Sequence, residues 1–216
     1  MKWVRSDVAL VEDESGSALT VPQKEAMLMV SQSNAGGAVG RLFRATKYQA
    51  GAKDIWLCAV TSSDQSAIAE LVLDLEQEQF AGSVEEVFNE LQNSHYPQLE
   101  HPFAVVARGF AVGFFILREK QAVPAWAHAD VVTLHSFRVC RDHQNKGYGR
   151  AGIELAAGWI RQNRPSVTQL MLAVNTQNVL AKTIYFKCGF DDTGTTHSGP
   201  IGDQNILTYD LVRQNR

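Results

Sequence analysis

The twelve residues Arg141 to Gly152, RDHQNKGYGRAG, put a glycine-bearing turn between an apolar run and an amphipathic segment. Ahead of them Val131 to Val139, VVTLHSFRV, is rich in the β-branched and aromatic residues that favour strands. Behind them Gly152, Leu155, Ala156, Trp159 and Ile160 recur at i, i+3, i+4, i+7 and i+8, the spacing of one buried helical face. The order is therefore strand, loop, helix. A helix that opens on glycines leaves its first backbone NH groups free and carries partial positive charge, which makes the loop a candidate anion site.

Several phosphate motifs share this spelling, and context separates them. Gly147 to Gly152 matches the dinucleotide pattern G-x-G-x-x-G, but there the first glycine comes almost directly off the strand and an acidic residue follows about 20 residues later. Here seven residues, Cys140 to Lys146, precede Gly147, and the next strand-like run, Gln169 to Val174, ends at Asn175 without an acid. No Gly-Lys-Ser or Gly-Lys-Thr exists for a Walker loop.

What fits is Q-x-x-G-x-G, spelled by Gln144, Asn145, Lys146, Gly147, Tyr148 and Gly149. Wrapping a pyrophosphate with successive NH groups demands residues that tolerate positive φ and lack bulk, which Gly147 and Gly149 do and Asn145 does next best. Lys146 and Arg150 add charge. This loop resembles the acetyl-coenzyme A loop of the GNAT acetyltransferases; an ordinary strand-to-helix connection is the competing reading. A second stretch agrees. Gln169 to Val174 reads as a strand, Asn175 to Asn178 as helix-capping types, and Ala181, Ile184, Tyr185 and Cys188 as one helix face closed by Gly189. The string from Asn178 to Phe190 resembles the family's second signature, N-x-x-A-x-x-x-Y-x-x-x-G-F, about 30 residues after the first and on the expected elements.

The resemblance covers residues 66–216 and implies a mixed α/β GNAT fold: a central, mostly antiparallel twisted sheet with helices on both faces. Around the two motifs, Ile68 to Leu75 reads as the first strand or its lead-in and Val84 to Leu91 as a short helix. Phe103 to Ala107 and Phe110 to Leu117 read as a hairpin about Arg108-Gly109. Asp191 to Thr196 and Asn205 to Val212 read as closing strands joined by the loop Ser198 to Gln204. Residues 1–65 form an N-terminal extension of unassigned role, integral to the core, covering the substrate side or building a dimer contact. Within it Glu25 to Val30 reads as a helix, Ile55 to Val60 as a strand, and the glycines of Asn34 to Gly40 as a linker rather than a second phosphate loop.

Composition narrows the partners. A chain of 216 residues that is 45% hydrophobic can bury a substantial core, and a formal charge of -3 offers no basic excess for nucleic acid. No apolar run approaches 18 residues, and Met1 to Asp7 is too polar for a secretory segment, so no membrane association and a cytoplasmic location are expected. Three cysteines without a C-x-x-C argue against both a disulfide framework and a zinc site, so no metal is expected. Cys188, on the inward helix face, reads as packing.

The resemblance implies an acetyl-coenzyme A-dependent N-acetyltransferase that moves the acetyl group directly to a primary amine, with acetyl-CoA as cosubstrate. A non-catalytic acyl-coenzyme A sensing module is the alternative, and a nucleotide-binding oxidoreductase a more distant one. An alkylamine with a pKa of about 10 must lose a proton before it attacks. The charge that develops on the thioester oxygen calls for a backbone NH near Val139, and the departing thiolate needs an acid. Tyr185, at the family's tyrosine position, is similar to the residue that protonates the sulfur; an aromatic packed in the core is its other reading. His135 shares strand parity with Thr133 and is the candidate base, with Asp130 or a water chain as competitors; His143 reads as a solvent-facing or positioning residue. Cofactor contacts carried over are the strand backbone of Phe137, Arg138 and Val139 along the pantetheine arm, Gln144, Asn145, Lys146, Gly147, Tyr148, Gly149 and Arg150 around the pyrophosphate, and Asn178 on the arm. Asp74, Glu76, Glu78, Glu85 and Glu86 make an acidic segment where the family's acceptor-binding elements lie, and a cationic small-molecule amine such as a polyamine is the expected acceptor. The family often forms dimers, so a homodimer is a further expectation.

Overall fold

The computed structural model describes strand backbone at residues 8–12 and 18–22 and the chain from residue 55 to residue 213. The expected helix Glu25 to Val30 and the glycine stretch Asn34 to Gly40 lie outside the described residues. Val8–Glu12 (β1) and Ala18–Pro22 (β2) pair antiparallel with each other, Val8 opposite Pro22.

The second unit is built on a seven-stranded sheet. Its strands are Ile55–Ala59 (β3), Glu100–Ala107 (β4), Phe110–Glu119 (β5), Val132–Val139 (β6), Gln169–Asn175 (β7), Asp191–Gly199 (β8) and Gly202–Asp210 (β9), in the order β3-β4-β5-β6-β7-β9-β8. Every neighbouring pair is antiparallel except β6 with β7. Among the described residues five helices accompany it: Gln65–Ala69 (α1), Leu75–Ala81 (α2), Val84–Gln92 (α3), Tyr148–Asn163 (α4) and Val179–Lys187 (α5).

Alternation along the strands makes two cores. Phe103 and Val105 of β4 and Leu170, Leu172 and Val174 of β7 turn to one face, where Ile153, Ala156, Ala157 and Ile160 of α4 close over them. Ala104 and Val106 turn to the other, where Ile68 of α1 and Val87 and Phe88 of α3 cover them. Phe114 and Phe115 are both fully buried and so serve opposite cores, each contributing about 2–3 kcal/mol by apolar burial. The Phe-rich hairpin is thus core, Phe110 excepted, which stays half exposed. Its turn falls at Arg108 and Gly109, both at positive φ, as the sequence predicts.

Three expectations need correction. Residues 68–75 hold no strand: Ile68 and Leu71 bury from a helical turn that follows the Thr61 to Asp64 capping box, and Leu75 begins α2 with 91% of its surface exposed. The sheet's first strand is Ile55–Ala59, which pairs with β4 from Ile55 opposite Ala107 to Ala59 opposite Phe103 and so reaches ahead of residue 66. The last two strands also run further than expected, leaving only Pro200 and Ile201 between them, because Gly202 at φ +109° lets the chain reverse at once. Helix α3 is stapled at its start by Ser83, whose hydroxyl accepts from the Glu86 NH while the Glu86 carboxylate accepts from the Ser83 NH.

Candidate active site

β6 and β7 pair at only two positions, Val132 opposite Leu170 and Thr133 opposite Met171. Beyond them β6 stays on β5 as far as Val139 and β7 stays on β9 as far as Asn175. The side of β6 that faces β7 from Leu134 to Val139 therefore has no ladder partner among the described residues. Apart from the Val139 carbonyl, which a side chain of the following loop reaches, backbone NH and C=O groups there must be satisfied by water or by an extended amide-bearing ligand.

The same stretch of β6 carries a bulge. His135 faces Ile116 and Arg138 faces Phe114, so Ser136 and Phe137 together oppose Phe115. Ser136 takes φ +50°, which re-aims the strand after it. Nothing in the composition of this run signals that bulge. Its partner strand accommodates it at Gly113, where a Cβ would stand 2.7 Å from the Arg138 carbonyl oxygen.

Past Val139 a single turn, Arg141–His143, leads into the loop. The Gln144 side chain holds the loop to its surroundings: Nε2 donates to the Val139 carbonyl at 3.1 Å and to Gln77 Oε1 at 2.8 Å, and Gln77 Nε2 donates back at 3.2 Å. Gln77 of α2 is a site residue the sequence does not reveal, since its partner lies 67 positions away. Asn145 (φ +59°) and Gly147 (φ +83°) adopt the left-handed conformation that the motif demands. Gly147 is the N-cap of α4, and no side chain caps that end, so the first NH groups of the helix stand open with its positive pole. Gly152 seats the helix: a Cβ there would lie 3.2 Å from both the Phe137 ring and Val105 Cγ2.

The other expected contacts divide. Lys146 Nζ donates to the Asp142 carbonyl at 2.7 Å, and Arg150 pairs with Glu154 at 2.9 Å, so both loop cations have partners within the chain. Tyr148 stands edge-on to His143, ring centres 5.9 Å apart. Asn178 caps α5, its Oδ1 accepting from the Ala181 NH. Val139 lines the loop, with Cγ2 3.8 Å from where a Gly149 Cβ would stand. Arg138 is 2% exposed, and its side chain is engaged by α2 and the residue after it, with Nη2 donating to the carbonyls of Ala81 and Gly82.

Tyr185 and Phe137 come together, ring centres 6.4 Å apart, with Phe190 packed edge-on against Tyr185 at 5.5 Å. Burial pushes the Tyr185 phenol above its ordinary range, which keeps the proton on oxygen, and the hydroxyl takes no hydrogen-bond partner among the described residues. Ile184, expected on the same face, points outward at 42% exposure. Burial also raises the Cys188 thiol. His135 is different. Burial first, and the Arg118 charge second, pull its pKa down to about 3, and its Nε2 lies 2.7 Å from Thr133 Oγ1. The imidazole is neutral at physiological pH and a weak proton acceptor. Asp130 is exposed, on the loop before β6.

The acidic segment is largely engaged at helix starts. Asp74 and Glu86 serve in capping boxes, and Glu76 and Glu85 sit in first turns, where a carboxylate opposes the helix dipole. Glu78 lies half-buried near Arg138, whose charge it helps to hold. Among the described residues no group of three or more His, Cys, Asp or Glu side chains gathers to hold a metal ion, and no helix is long and apolar enough to cross a membrane.

Comparison with known proteins gives these features a setting. The acetyltransferase (GNAT) family profile matches residues 67–190. The uncharacterized N-acetyltransferase YbbJ of Bacillus subtilis (strain 168) is 32% identical over 116 residues, which span 53% of this chain and 72% of that protein. Among solved structures, the chain is similar to aminoglycoside acetyltransferase AAC(6')-Ib in complex with coenzyme A (TM-score 0.63, 18% identity, 75% of this chain and 99% of that one). It is also similar to a spermidine N-acetyltransferase SpeG chimera from Vibrio cholerae and hSSAT (TM-score 0.59, 20% identity, 76% of this chain and 100% of that one). At those identities the structural likeness speaks for the fold alone.

Proposed function

This chain belongs to the acetyltransferase (GNAT) family and is an acetyl-coenzyme A-dependent N-acetyltransferase, and we propose that its acceptor is a primary amine on a small cationic molecule, polyamines being the simplest of that class. The observation that carries the site assignment is the separation of β6 from β7 beyond Thr133 and Met171. It leaves a strand edge of unpaired amides leading from the bulge at Ser136 to the uncapped start of α4. An extended amide-bearing arm followed by a pyrophosphate matches that order of groups. When bound, acetyl-CoA supplies the acetyl group as a thioester and departs as a thiolate.

The backbone of Phe137, Arg138 and Val139 is proposed to hold the arm, and the NH groups from Asn145 to Arg150 the pyrophosphate. An NH freed at the Ser136-Phe137 bulge is proposed to stabilise charge on the acetyl oxygen. Tyr185 is proposed to hand its proton to the departing sulfur; its hydroxyl keeps the proton and has no hydrogen-bond partner among the described residues, which leaves it free to donate. His135, with a pKa of about 3, does not fit the base, and the amine's proton is assigned to water instead. The catalytic unit is proposed to begin at or before Ile55, since β3 completes the sheet.

Glu76 and Glu78 support a cationic acceptor. The spermidine and aminoglycoside acetyltransferases of similar fold act on amines of that kind. The test is free-thiol release from acetyl-CoA with a panel of polyamines, aminoglycosides and amino acids. The reading expects release with at least one polycation and a KM for it that rises in Glu76→Gln/Glu78→Gln. Release with neutral amino acids only overturns the cationic assignment.

A further inference from the structure

Helix α2 is held in place without a core. None of its seven residues is fully buried, and among the described residues none belongs to or packs against an apolar cluster of the sheet. Leu71 and Leu73 bury just ahead of it and anchor its approach, but Leu75 already points into solvent. What fixes the helix is polar, and its ties to the sheet lead to one short stretch, residues 138–144. The Arg141 NH donates to the Val72 carbonyl at 2.8 Å, Arg138 reaches the carbonyls of Ala81 and Gly82, and Gln77 pairs with Gln144. Arg141 also stands 3.8 Å from Asp74, an exposed ion pair that contributes little.

The Gln77–Gln144 tie has a fixed direction. The Val139 carbonyl can only accept, so the Gln144 nitrogen must face it, and the Gln144 oxygen is left to accept from Gln77 Nε2 at 3.2 Å. At the other end the Asp74 NH can only donate. Its contact with Gln77 Oε1, long at 3.5 Å, agrees with the same oxygen accepting from Gln144 Nε2 at 2.8 Å. The two carboxamides thus close a reciprocal pair that runs from the end of β6 to the first turn of α2. Gln144 directly precedes Asn145 and Gly147, whose left-handed backbone shapes the anion loop. A shift of that loop carries the Gln144 side chain with it, and α2 has no apolar packing to hold it back.

Resting on the reading of the loop as the pyrophosphate site and of Glu76 and Glu78 as the acceptor's carboxylates, we infer that Gln77 is a positioning residue that ties the acceptor helix to the filled state of the cofactor loop. A pyrophosphate on the NH groups from Asn145 to Arg150 fixes the backbone next to Gln144. The carboxamide pair passes that order to the first turn of α2, and Glu76 and Glu78, on either side of Gln77, take their places for the amine. Such a link is reciprocal: cofactor and amine favour each other by one factor, about 5- to 150-fold for couplings of the usual size. Gln77 acts through Gln144 and not on the reacting atoms, so its loss separates two affinities that the wild type joins.

Hydrogen exchange read by mass spectrometry tests the link without an acceptor, with coenzyme A as the added ligand, on the wild type, Gln77→Met and Gln79→Met. Gln79 donates to the Glu76 carbonyl within α2, so its variant controls for a methionine in that helix. Coenzyme A should slow exchange about fivefold or more over residues 144–152 and over residues 75–82 in the wild type and in Gln79→Met. In Gln77→Met it should slow residues 144–152 alone. In thiol release with the polycation that the wild type uses best, Gln77→Met should raise the amine KM about fivefold or more and leave kcat within about twofold. Residues 75–82 that ignore coenzyme A in the wild type, that still respond in Gln77→Met, or that lose the response equally in Gln79→Met overturn the link. Coenzyme A that slows neither stretch in the wild type removes the loop as the cofactor site, and the link with it.

Discussion

Arg138 Nη2 donates to the Gly82 carbonyl at 2.9 Å, tying the end of the acidic helix α2 to the strand that borders the proposed reaction site. The same nitrogen reaches Ala81 O at 3.1 Å, while the buried Nε and Nη1 have no partner. The guanidinium thus acts as a C-cap for α2 from 56 residues away, at the cost of two orphaned donors. Burial lowers its pKa and Glu78 offsets part of that. Arg138→Met should free α2, raising the KM for the amine about tenfold with little change in acetyl-CoA affinity, as steady-state kinetics and calorimetry can show. Equal losses in both would mean that the residue serves the whole fold rather than the acceptor side.

Gly147 and Gly152 should fail in different ways when changed to alanine. At Gly147 a Cβ meets nothing within 4 Å, and the penalty is the left-handed backbone alone, about 1 kcal/mol or slightly more. Gly147→Ala is expected to weaken acetyl-CoA binding about tenfold with a small change in melting temperature. At Gly152 the Cβ would press on Phe137 and Val105 at 3.2 Å, so Gly152→Ala should cost 1–3 kcal/mol of stability by overpacking, about what a chemical denaturation curve resolves. A Gly147→Ala protein with unchanged affinity would remove the loop from the anion site.

His135 gives the fold a pH dependence of definite sign. Its pKa of about 3 in the folded chain lies below the ordinary 6.5, so the unfolded chain binds the extra proton and native stability falls as pH drops below 6.5. The slope approaches about 1.4 kcal/mol per pH unit well inside that window. Denaturant unfolding at pH 7.5, 6.5 and 5.5 should show a steeper loss for the wild type than for His135→Gln. The pH profile of kcat/KM should carry no limb belonging to this imidazole.

A second polar cluster lies at the far end of the sheet. Glu119, 3% exposed, accepts from Arg164 Nε and Nη2 at 2.5 and 2.6 Å and lies 2.9 Å from His101 Nε2. Burial alone would raise its carboxyl, but the hydrogen bonds and charge of Arg164, then His101, outweigh it and hold the pKa below the ordinary value. Stability from this group is therefore present above the carboxylate range and is lost as pH falls through it, a window below that of His135. Arg164→Ala leaves a buried carboxylate short of its main partner and should cost about 3 kcal/mol at pH 7, measurable by urea unfolding.

The parts of this fold and site that were legible from sequence are those whose physics is local. Positive φ at Asn145 and Gly147, the capping role of Asn178 and the turn at Arg108-Gly109 follow from residue type and neighbours within a few positions. Leu71, Leu73 and Leu75 alternate as a strand would, yet only the first two are buried; the alternation came from a bent segment entering α2, which no period-two pattern can distinguish. The Gln77–Gln144 and Arg138–Gly82 bonds join positions 67 and 56 apart, and nothing in either stretch announces the other. The low pKa of His135 has the same origin, because parity placed it on a strand face but not beneath the Arg118 charge. In β8 the residues Thr193, Gly194 and Thr195 bulge opposite Ile206, and nothing in that stretch but Gly194 signals it.

The most direct measurement compares wild type with Tyr185→Phe, by calorimetric titration of acetyl-CoA and by free-thiol release with the best amine of the panel. The account predicts saturable acetyl-CoA binding of equal affinity in both proteins, and a kcat at least about 100-fold lower in the variant, the scale of losing a positioned acid. Equal kcat in the two would remove Tyr185 from proton transfer, and a wild type that binds no acetyl-CoA would contradict the site assigned to Gln144 through Gly149.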